Sequence, residues 1–192
     1  MEPAATSEPI EASVESRVAE IDDFDKCVQF YWPKVFRFAL DSIRDSDAAQ
    51  TLTQDCFWKA YKSRTRFRGD SSVQTWLMQI AVNLVRDFYR SRRIQFWQRV
   101  RSSSVDANTL SDWLPDKQLS PEAKIAAREQ MLAVWRAVET LPDRQRTVFI
   151  LRFAEDMDLL EIGAATSLKE GAVKVHLFRA LQSVRKRIGS SS

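Results

Sequence analysis

Apolar positions recur at helical spacing through two long stretches of this chain and lapse between them. Val73, Trp76, Leu77, Ile80, Ala81, Leu84 and Phe88 fall at i, i+3, i+4, i+7, i+8, i+11 and i+15. That is the period of an amphipathic helix, not the alternation of a strand. At 100° per residue, Gln79, Arg86, Arg90 and Arg93 gather on the other side. The pattern predicts one helix with a core face and a basic face, Asn83 and Asp87 standing on the border. Further on, Leu141-Pro142-Asp143 reads as a helix start, because proline's missing N–H does no harm in a first turn. Val148, Phe149, Leu151 and Phe153 follow it. Asp158-Leu159-Leu160-Glu161 has the form of a capping box, an N-cap oxygen with an acid three residues on. It predicts a short helix to about Ala165, a turn near Ser167, and a last helix turning Val173, Leu177, Ala180, Leu181, Val184 and Ile188 inward. A short helix, a tight turn and a longer basic helix make a helix-turn-helix.

The interruptions divide the chain. Residues 102–121 (SSSVDANTLSDWLPDKQLSP) mix Ser, Asp, Asn and two prolines with little periodicity, which marks a linker. Residues 1–23 are rich in Glu, Ala, Ser and Pro and read as a disordered acidic leader, dispensable if it is only a solvated tail. The expected organisation is a leader over 1–23, a helical domain over 24–93, a linker over 94–120 and a second helical domain over 121–188. The fold class is all-α, two small helical domains on a flexible linker. Only four glycines interrupt the chain (Gly69, Gly163, Gly171, Gly189), too few for a turn-rich β fold.

Charge sharpens the picture. The net charge is +3, but residues 1–25 hold eight acids against Arg17 alone, so the leader is −7 and the rest of the chain +10. A cationic body fits a polyanionic partner. From Lys59 to Gly69 the run KAYKSRTRFRG has five bases (Lys59, Lys62, Arg64, Arg66, Arg68) and no acid. Arg86, Arg90, Arg92, Arg93, Arg99 and Arg101 follow, against a lone Asp87, with Tyr61, Phe67, Tyr89, Phe96 and Trp97 interleaved. Cations neutralise phosphates and aromatic rings stack on unpaired bases, each stack worth roughly 1–3 kcal/mol. Taken singly, each of these residues is better explained by a solvated helix face with inward aromatics. Together they suit melted nucleic acid better than plain duplex. The last helix turns Gly171, Ala172, Val175, Phe178, Arg179 and Gln182 outward, flanked by Lys174 and His176, a face able to enter a major groove. Lys186 and Arg187 are also what a helix C-terminus favours.

Catalysis finds little support. His176 is the only histidine, and no Gly-rich phosphate loop, paired-cysteine zinc pattern or His-Glu-x-x-His helix is present. No cofactor, metal or small-molecule substrate is expected. Cys27 and Cys56 read as small core residues in a reducing compartment, a redox pair being the lesser alternative. No stretch approaches the ~18 apolar residues of a membrane span, and a soluble cytoplasmic protein is expected.

Two segments resemble a known family. DAAQTLTQDCFWKAYKSRTRFRGDSSVQTWLMQIAVNLVRDFYRSRR resembles region 2 of the extracytoplasmic-function sigma factors, through Gln54-Asp55, Phe57, Trp76-Leu77, Ile80-Ala81, Asn83, Asp87 and the arginine cluster. LPDRQRTVFILRFAEDMDLLEIGAATSLKEGAVKVHLFRALQSVRKRI resembles region 4, through Leu141-Pro142, Arg146, Val148-Phe149, Leu151-Arg152, Glu161-Ile162, Gly171, Val173-Lys174, Leu177 and Arg179-Ala180. The resemblance implies a transcription initiation factor that binds core RNA polymerase, through the β′ clamp helices and the β subunit, and promoter DNA. Core polymerase would be met by Leu52, Gln54, Asp55 and Trp58. The melted −10 element would be held by Lys59, Lys62, Arg66, Phe67, Arg68, Gly69, Asp70, Trp76, Gln79, Asn83, Arg86, Arg90 and Arg93, with a flipped base in a pocket. The −35 duplex would meet Lys169, Glu170, Gly171, Ala172, Lys174, Val175, Phe178 and Arg179. Residues 94–120 would thread toward the RNA exit path, and an anti-sigma protein, often in the inner membrane, would hold the factor inactive.

The chain departs from the family pattern in places. Thr51 stands where an acid is frequent, Thr166-Ser167 replaces Leu-Gly in the turn, Lys169 replaces the usual Ser cap, and Ala172, Val175 and His176 replace commoner polar residues. Two other readings compete. A stand-alone helix-turn-helix regulator explains 141–188 but leaves the basic aromatic block without a purpose. An RNA-processing or nucleotidyl-transfer enzyme needs clustered metal-binding carboxylates, and the sequence offers none.

Overall fold

Every regular element among the described residues is a helix. The structure is a computed structural model describing residues 17, 19, 21–99 and 121–189, with side chains described for 17, 19, 21–91 and 129–189. Most of the leader, residues 100–120 of the expected linker, Arg101, and the side chains of Arg92, Arg93, Phe96, Trp97 and Arg99 lie outside the described residues.

The first block holds α1 (Phe24–Ile43), α2 (Ser46–Ser63), a short 3₁₀ turn (Arg64–Arg66) and α3 (Val73–Arg99). Aspartates open the first two helices: Asp23 accepts from the Lys26 amide at 3.3 Å and Asp45 from the Ala48 amide at 3.0 Å. Each satisfies an N–H that has no partner inside its helix. Val35, Phe38 and Ala39 of α1 meet Ala49, Cys56 and Ala60 of α2 and Val73, Leu77 and Ala81 of α3 in a fully buried core. Ile21, within the expected leader, is helical and buried in that core. At the other end α3 is 27 residues long, spanning roughly 40 Å at 1.5 Å per residue, and it continues past Arg93 into the expected linker.

The second block holds α4 (Pro121–Glu139), α5 (Asp143–Phe153), α6 (Leu159–Thr166) and α7 (Glu170–Gly189). The capping box is present: Asp158 Oδ1 accepts from the Glu161 amide at 2.8 Å and Glu161 Oε2 from the Asp158 amide at 2.9 Å. Helix α6 ends on Ser167, whose φ of 57° is left-handed, and the Leu168 amide donates to the Gly163 carbonyl at 3.0 Å. A Cβ on Gly163 would stand 2.9 Å from the Leu168 carbonyl oxygen. The α6–α7 turn therefore needs glycine at 163 and tolerates serine under strain at 167. Gly163→Ala is expected to cost about 1–3 kcal/mol, because backbone must shift to admit the methyl. Ser167→Gly is expected to gain about 0.5–1 kcal/mol by relieving the left-handed penalty. Urea denaturation of both variants checks the pair, and unchanged midpoints would show that the turn carries no strain.

The two blocks are docked on each other, α3 against α6 and α1 against α5. This widens the apolar face of α3. Besides the expected Val73, Leu77 and Ala81, the helix fully buries Met78 and nearly buries Val85. Polar contacts line the junction. Arg37 Nε and Nη2 donate to the two carboxylate oxygens of Glu155 at 2.9 and 2.8 Å, and the Glu155 side chain is wholly buried. Gln74 Nε2 donates to the Glu155 carbonyl at 3.2 Å, Thr75 Oγ1 to Glu161 Oε1 at 3.3 Å, and Arg146 Nη1 to the Tyr89 hydroxyl at 3.3 Å. Tyr89 itself donates to the Ser42 carbonyl.

Burial pushes Glu155 above the usual carboxylate range against the pull of Arg37. It pushes nearby Asp41 up to about 6, outweighing Arg44 and Arg37. An acid whose folded pKa is raised binds its proton more tightly in the native state, so its contribution to stability falls as pH rises from about 4 and levels above 6. Asp41→Asn is expected to flatten the decline in melting temperature between pH 4 and 6. A decline as steep as in the parent protein would contradict the assignment to Asp41.

Candidate nucleic-acid interface

Helix α2 presents its outer face to solvent through Gln54, Asp55, Trp58, Lys59 and Lys62. Trp58 is 58% exposed, a large apolar ring on the surface, with Lys62 Nζ 4.4 Å above it. Leu52 is turned the other way and is 5% exposed, so it belongs to the core and is withdrawn from the polymerase-binding set. It lies on the inward face of α2 with Ala49, Cys56 and Ala60. Tyr61 is half exposed, with Arg64 3.7 Å above its ring.

The segment after α2 turns at Gly69, whose φ of 73° suits glycine and few other residues. Gly69 is buried and its carbonyl accepts from Arg17 Nη1 at 3.1 Å. Its place is to shape the loop, which corrects its assignment as a direct DNA contact. Around it Arg66, Arg68 and Asp70 are exposed, while Phe67 is half-buried against Trp76 with ring centres 5.2 Å apart. Along α3, Gln79 and Asn83 are half-buried and Arg86 and Arg90 are exposed. Arg86 Nη2 donates to Asn83 Oδ1 at 2.8 Å and Arg90 pairs with Asp87 at 3.2 Å. Asn83 and Asp87 thus aim the arginines, as residues on the border of the basic face are placed to do. Tyr89, one of the interleaved aromatics, is spent on the junction with Ser42 and Arg146 and is not a free stacking platform.

A groove of about 780 Å³ runs between the blocks, lined by Val82, Val85, Arg86 and Arg90 of α3, Arg144 and Arg146 of α5, and the α6–α7 turn. Spacing along the chain marks neither Arg44 nor Arg146 as a junction residue. The side chain of Arg44 lies over the Trp135 ring at 5.0 Å and reaches Glu139 at 3.4 Å. Such contacts carry no local signature, because their partners lie far away in sequence.

Helix α7 buries Val173, Ala180 and Val184 and exposes Gly171, Lys174, Val175, Phe178, Arg179 and Gln182, with Ala172 and His176 half-buried. Lys169 is exposed at its start; its carbonyl accepts from the Ala172 and Val173 amides at 2.8 and 3.1 Å, while its side chain has no acceptor with which to cap the helix. Glu170 is exposed and ion-paired with Lys174 one turn on.

Burial pushes the Cys56 thiol up to about 12, and its Sγ donates to the Leu77 carbonyl at 3.5 Å. A thiol so placed is a core group. Among the described residues no cluster of His, Cys, Asp or Glu is arranged to hold a metal.

Residues 27–94 match the Sigma-70 region 2 family and residues 131–184 match Sigma-70, region 4. The chain is 30% identical over 169 residues to the RNA polymerase sigma-H factor of Pseudomonas aeruginosa, covering 86% of each chain. The ECF RNA polymerase sigma-E factor of Escherichia coli (strain K12) matches with the same identity and coverage. The chain belongs to the ECF RNA polymerase sigma factors. It is also 23% identical to the ECF RNA polymerase sigma factor SigW of Bacillus subtilis, over 93% of this chain and 98% of that one. Its fold resembles the sigma factor RpoE in complex with the anti-sigma factor NepR from Bartonella quintana (TM-score 0.66, 22% identity, 87% and 97% of the two chains). It resembles CnrH in complex with the cytosolic domain of CnrY as well (TM-score 0.64, 19% identity, 94% and 97%). As an ECF sigma factor the protein directs core RNA polymerase to promoters, and the stand-alone regulator is not favoured. No helix among the described residues is long and apolar enough to cross a membrane.

Proposed function

We propose that this sigma factor divides its work among three surfaces. The outer face of α2, with Gln54, Asp55 and Trp58, docks on the β′ clamp helices of core polymerase. Lys59 and Lys62 at the end of α2, the 66–70 loop with Arg66, Phe67, Arg68 and Asp70, and the basic face of α3 with Trp76, Gln79, Asn83, Arg86, Arg90 and Arg93 capture the melted −10 strand. Helix α7 and Lys169 read the −35 element as duplex, the β subunit supporting this second block, and residues 94–120 run along the RNA exit path. The region 2 domain spans 24–93 and the region 4 domain 121–188. The factor itself catalyses nothing; the polymerase supplies the chemistry. It works in the cytoplasm and is held in check by an anti-sigma partner, at the inner membrane where that partner is membrane-bound. One solved structure of similar fold is a sigma factor, RpoE, in complex with the anti-sigma factor NepR.

One observation carries the core-binding assignment. Trp58 is 58% exposed on α2 beside exposed Gln54 and Asp55, and the fold offers no reason to leave a tryptophan in water. Exposed aromatic anchors are what dominate protein interfaces. Trp58→Ala with Asp55→Ala is expected to weaken binding to core polymerase at least tenfold while leaving the melting temperature unchanged. Calorimetric titration of core enzyme checks it, and parental affinity in the double variant would move the docking face elsewhere.

A further inference from the structure

The N-terminal segment enters the described structure beside the loop that follows α2. Arg17 and Ala19 are helical, and Ile21 is helical and buried in the core of the first block. Arg17 Nη1 donates to the Gly69 carbonyl at 3.1 Å. The chain upstream of Arg17 therefore starts within side-chain reach of the 66–70 loop. That loop is cationic and open: Arg66 and Arg68 are exposed, as are Lys59 and Lys62 at the end of α2. Residues 2–16 are its charge complement, with Glu2, Glu8, Glu11 and Glu15 and no base. Their order carries a second pattern. At 100° per residue Ile10 and Val14 fall on one line with Ile21, and Glu8, Glu11 and Glu15 fall on a line beside it.

We propose that the acidic segment 2–16 docks on the 66–70 loop and, in the free factor, occupies the cationic surface that single-stranded DNA takes in the working enzyme. The proposal rests on the reading of that loop as the strand-capturing surface and adds what covers it beforehand. In the docked segment the period anchored by Ile21 turns Ile10 and Val14 toward the first block, where Phe67 and Trp76 are half-buried. It sets Glu8, Glu11 and Glu15 along the arginines. Even at the short rise of a helix, residues 2–16 span about 22 Å, which suffices to cross the loop from Arg17. A tethered segment acts at an effective concentration in the mM range, so a contact too weak to hold a free peptide still closes over the loop. Phosphates and glutamates compete for the same cations, and DNA must displace the segment before it binds.

The test uses the full-length factor. Ala12→benzoylphenylalanine places a photo-reactive ketone among the glutamates, and irradiation without DNA should join it to the peptide that holds residues 66–70. Single-stranded DNA from the melted part of one of its own promoters should suppress that cross-link. In parallel, the affinity for the same DNA is read by fluorescence anisotropy. A surface covered about four-fifths of the time lowers apparent affinity about fivefold, so Glu8→Gln with Glu11→Gln and Glu15→Gln should bind about fivefold tighter than the parent. Ile10→Ser with Val14→Ser leaves the net charge as it is and should tighten binding in the same direction. All these positions lie upstream of the core, so melting curves should match the parent. Cross-links to the groove beside Arg144, between two copies, or to no site overturn the docking. So does tighter binding in the glutamine variant alone, which is a long-range charge effect. A cross-link to 66–70 that DNA does not displace, with DNA binding indifferent to Arg66→Ala and Arg68→Ala, leaves the docking standing and overturns the reading of the loop as the strand-capturing surface.

Discussion

Arg37→Ala will loosen the molecule at its middle. Glu155 is wholly buried between the blocks and is held by Arg37 through both carboxylate oxygens. Removing one member of a buried pair leaves the other desolvated and unpaired, a loss of about 3–5 kcal/mol when both are deeply buried. Arg37 is 35% exposed, so about 2–4 kcal/mol is expected here. The loss falls on the docked arrangement and not on either block alone, because separation of the blocks returns Glu155 to water. The expected result is a larger radius of gyration by small-angle scattering with an unchanged helical content. Glu155→Gln, which keeps the shape and drops the charge, should open the chain less. Equal dimensions for Arg37→Ala and the parent would show that apolar contact between α3 and α6 suffices to hold the blocks together.

Replacing Arg86 and Arg90 together with alanine will weaken promoter opening about tenfold at moderate salt and flatten its salt dependence. Both arginines are exposed on α3 and are held outward by Asn83 and Asp87. Every phosphate that a missing cation leaves unneutralised lowers the slope of log affinity against log salt by roughly 0.7–0.9. A double variant should therefore differ from the parent by about 1.4–1.8 in slope. Open-complex formation measured by permanganate reactivity across a salt series reads both effects, and an unchanged slope would take the basic face of α3 out of the melting surface.

Much of this fold is legible in the sequence because its determinants are local. The capping box at Asp158 and Glu161, the turn at Ser167 and the inward line of Val173, Ala180 and Val184 all lie within a few residues of one another. The basic face of α3 is equally local. What the periodicity hides is the second partner of each helix. Met78 and Val85 are buried because α6 lies against α3, and Arg37 meets Glu155 across 118 residues. Short-range rules do not register a pair that far apart. Leu52 and Gly69 show the complementary error. The resemblance implies contacts for both, but one fills the core and the other turns the chain. Ile21 sits at the end of an acidic, proline-containing stretch whose composition conceals one apolar anchor.

The most direct measurement of promoter-directing function is run-off transcription, with the purified protein added to sigma-free bacterial core RNA polymerase on fragmented DNA from its own genome. Discrete start sites are expected, each preceded by two spaced elements, one lying in the region that melts and one in upstream duplex. No transcripts, together with tight binding to duplex DNA by the protein alone, would contradict a sigma factor's role.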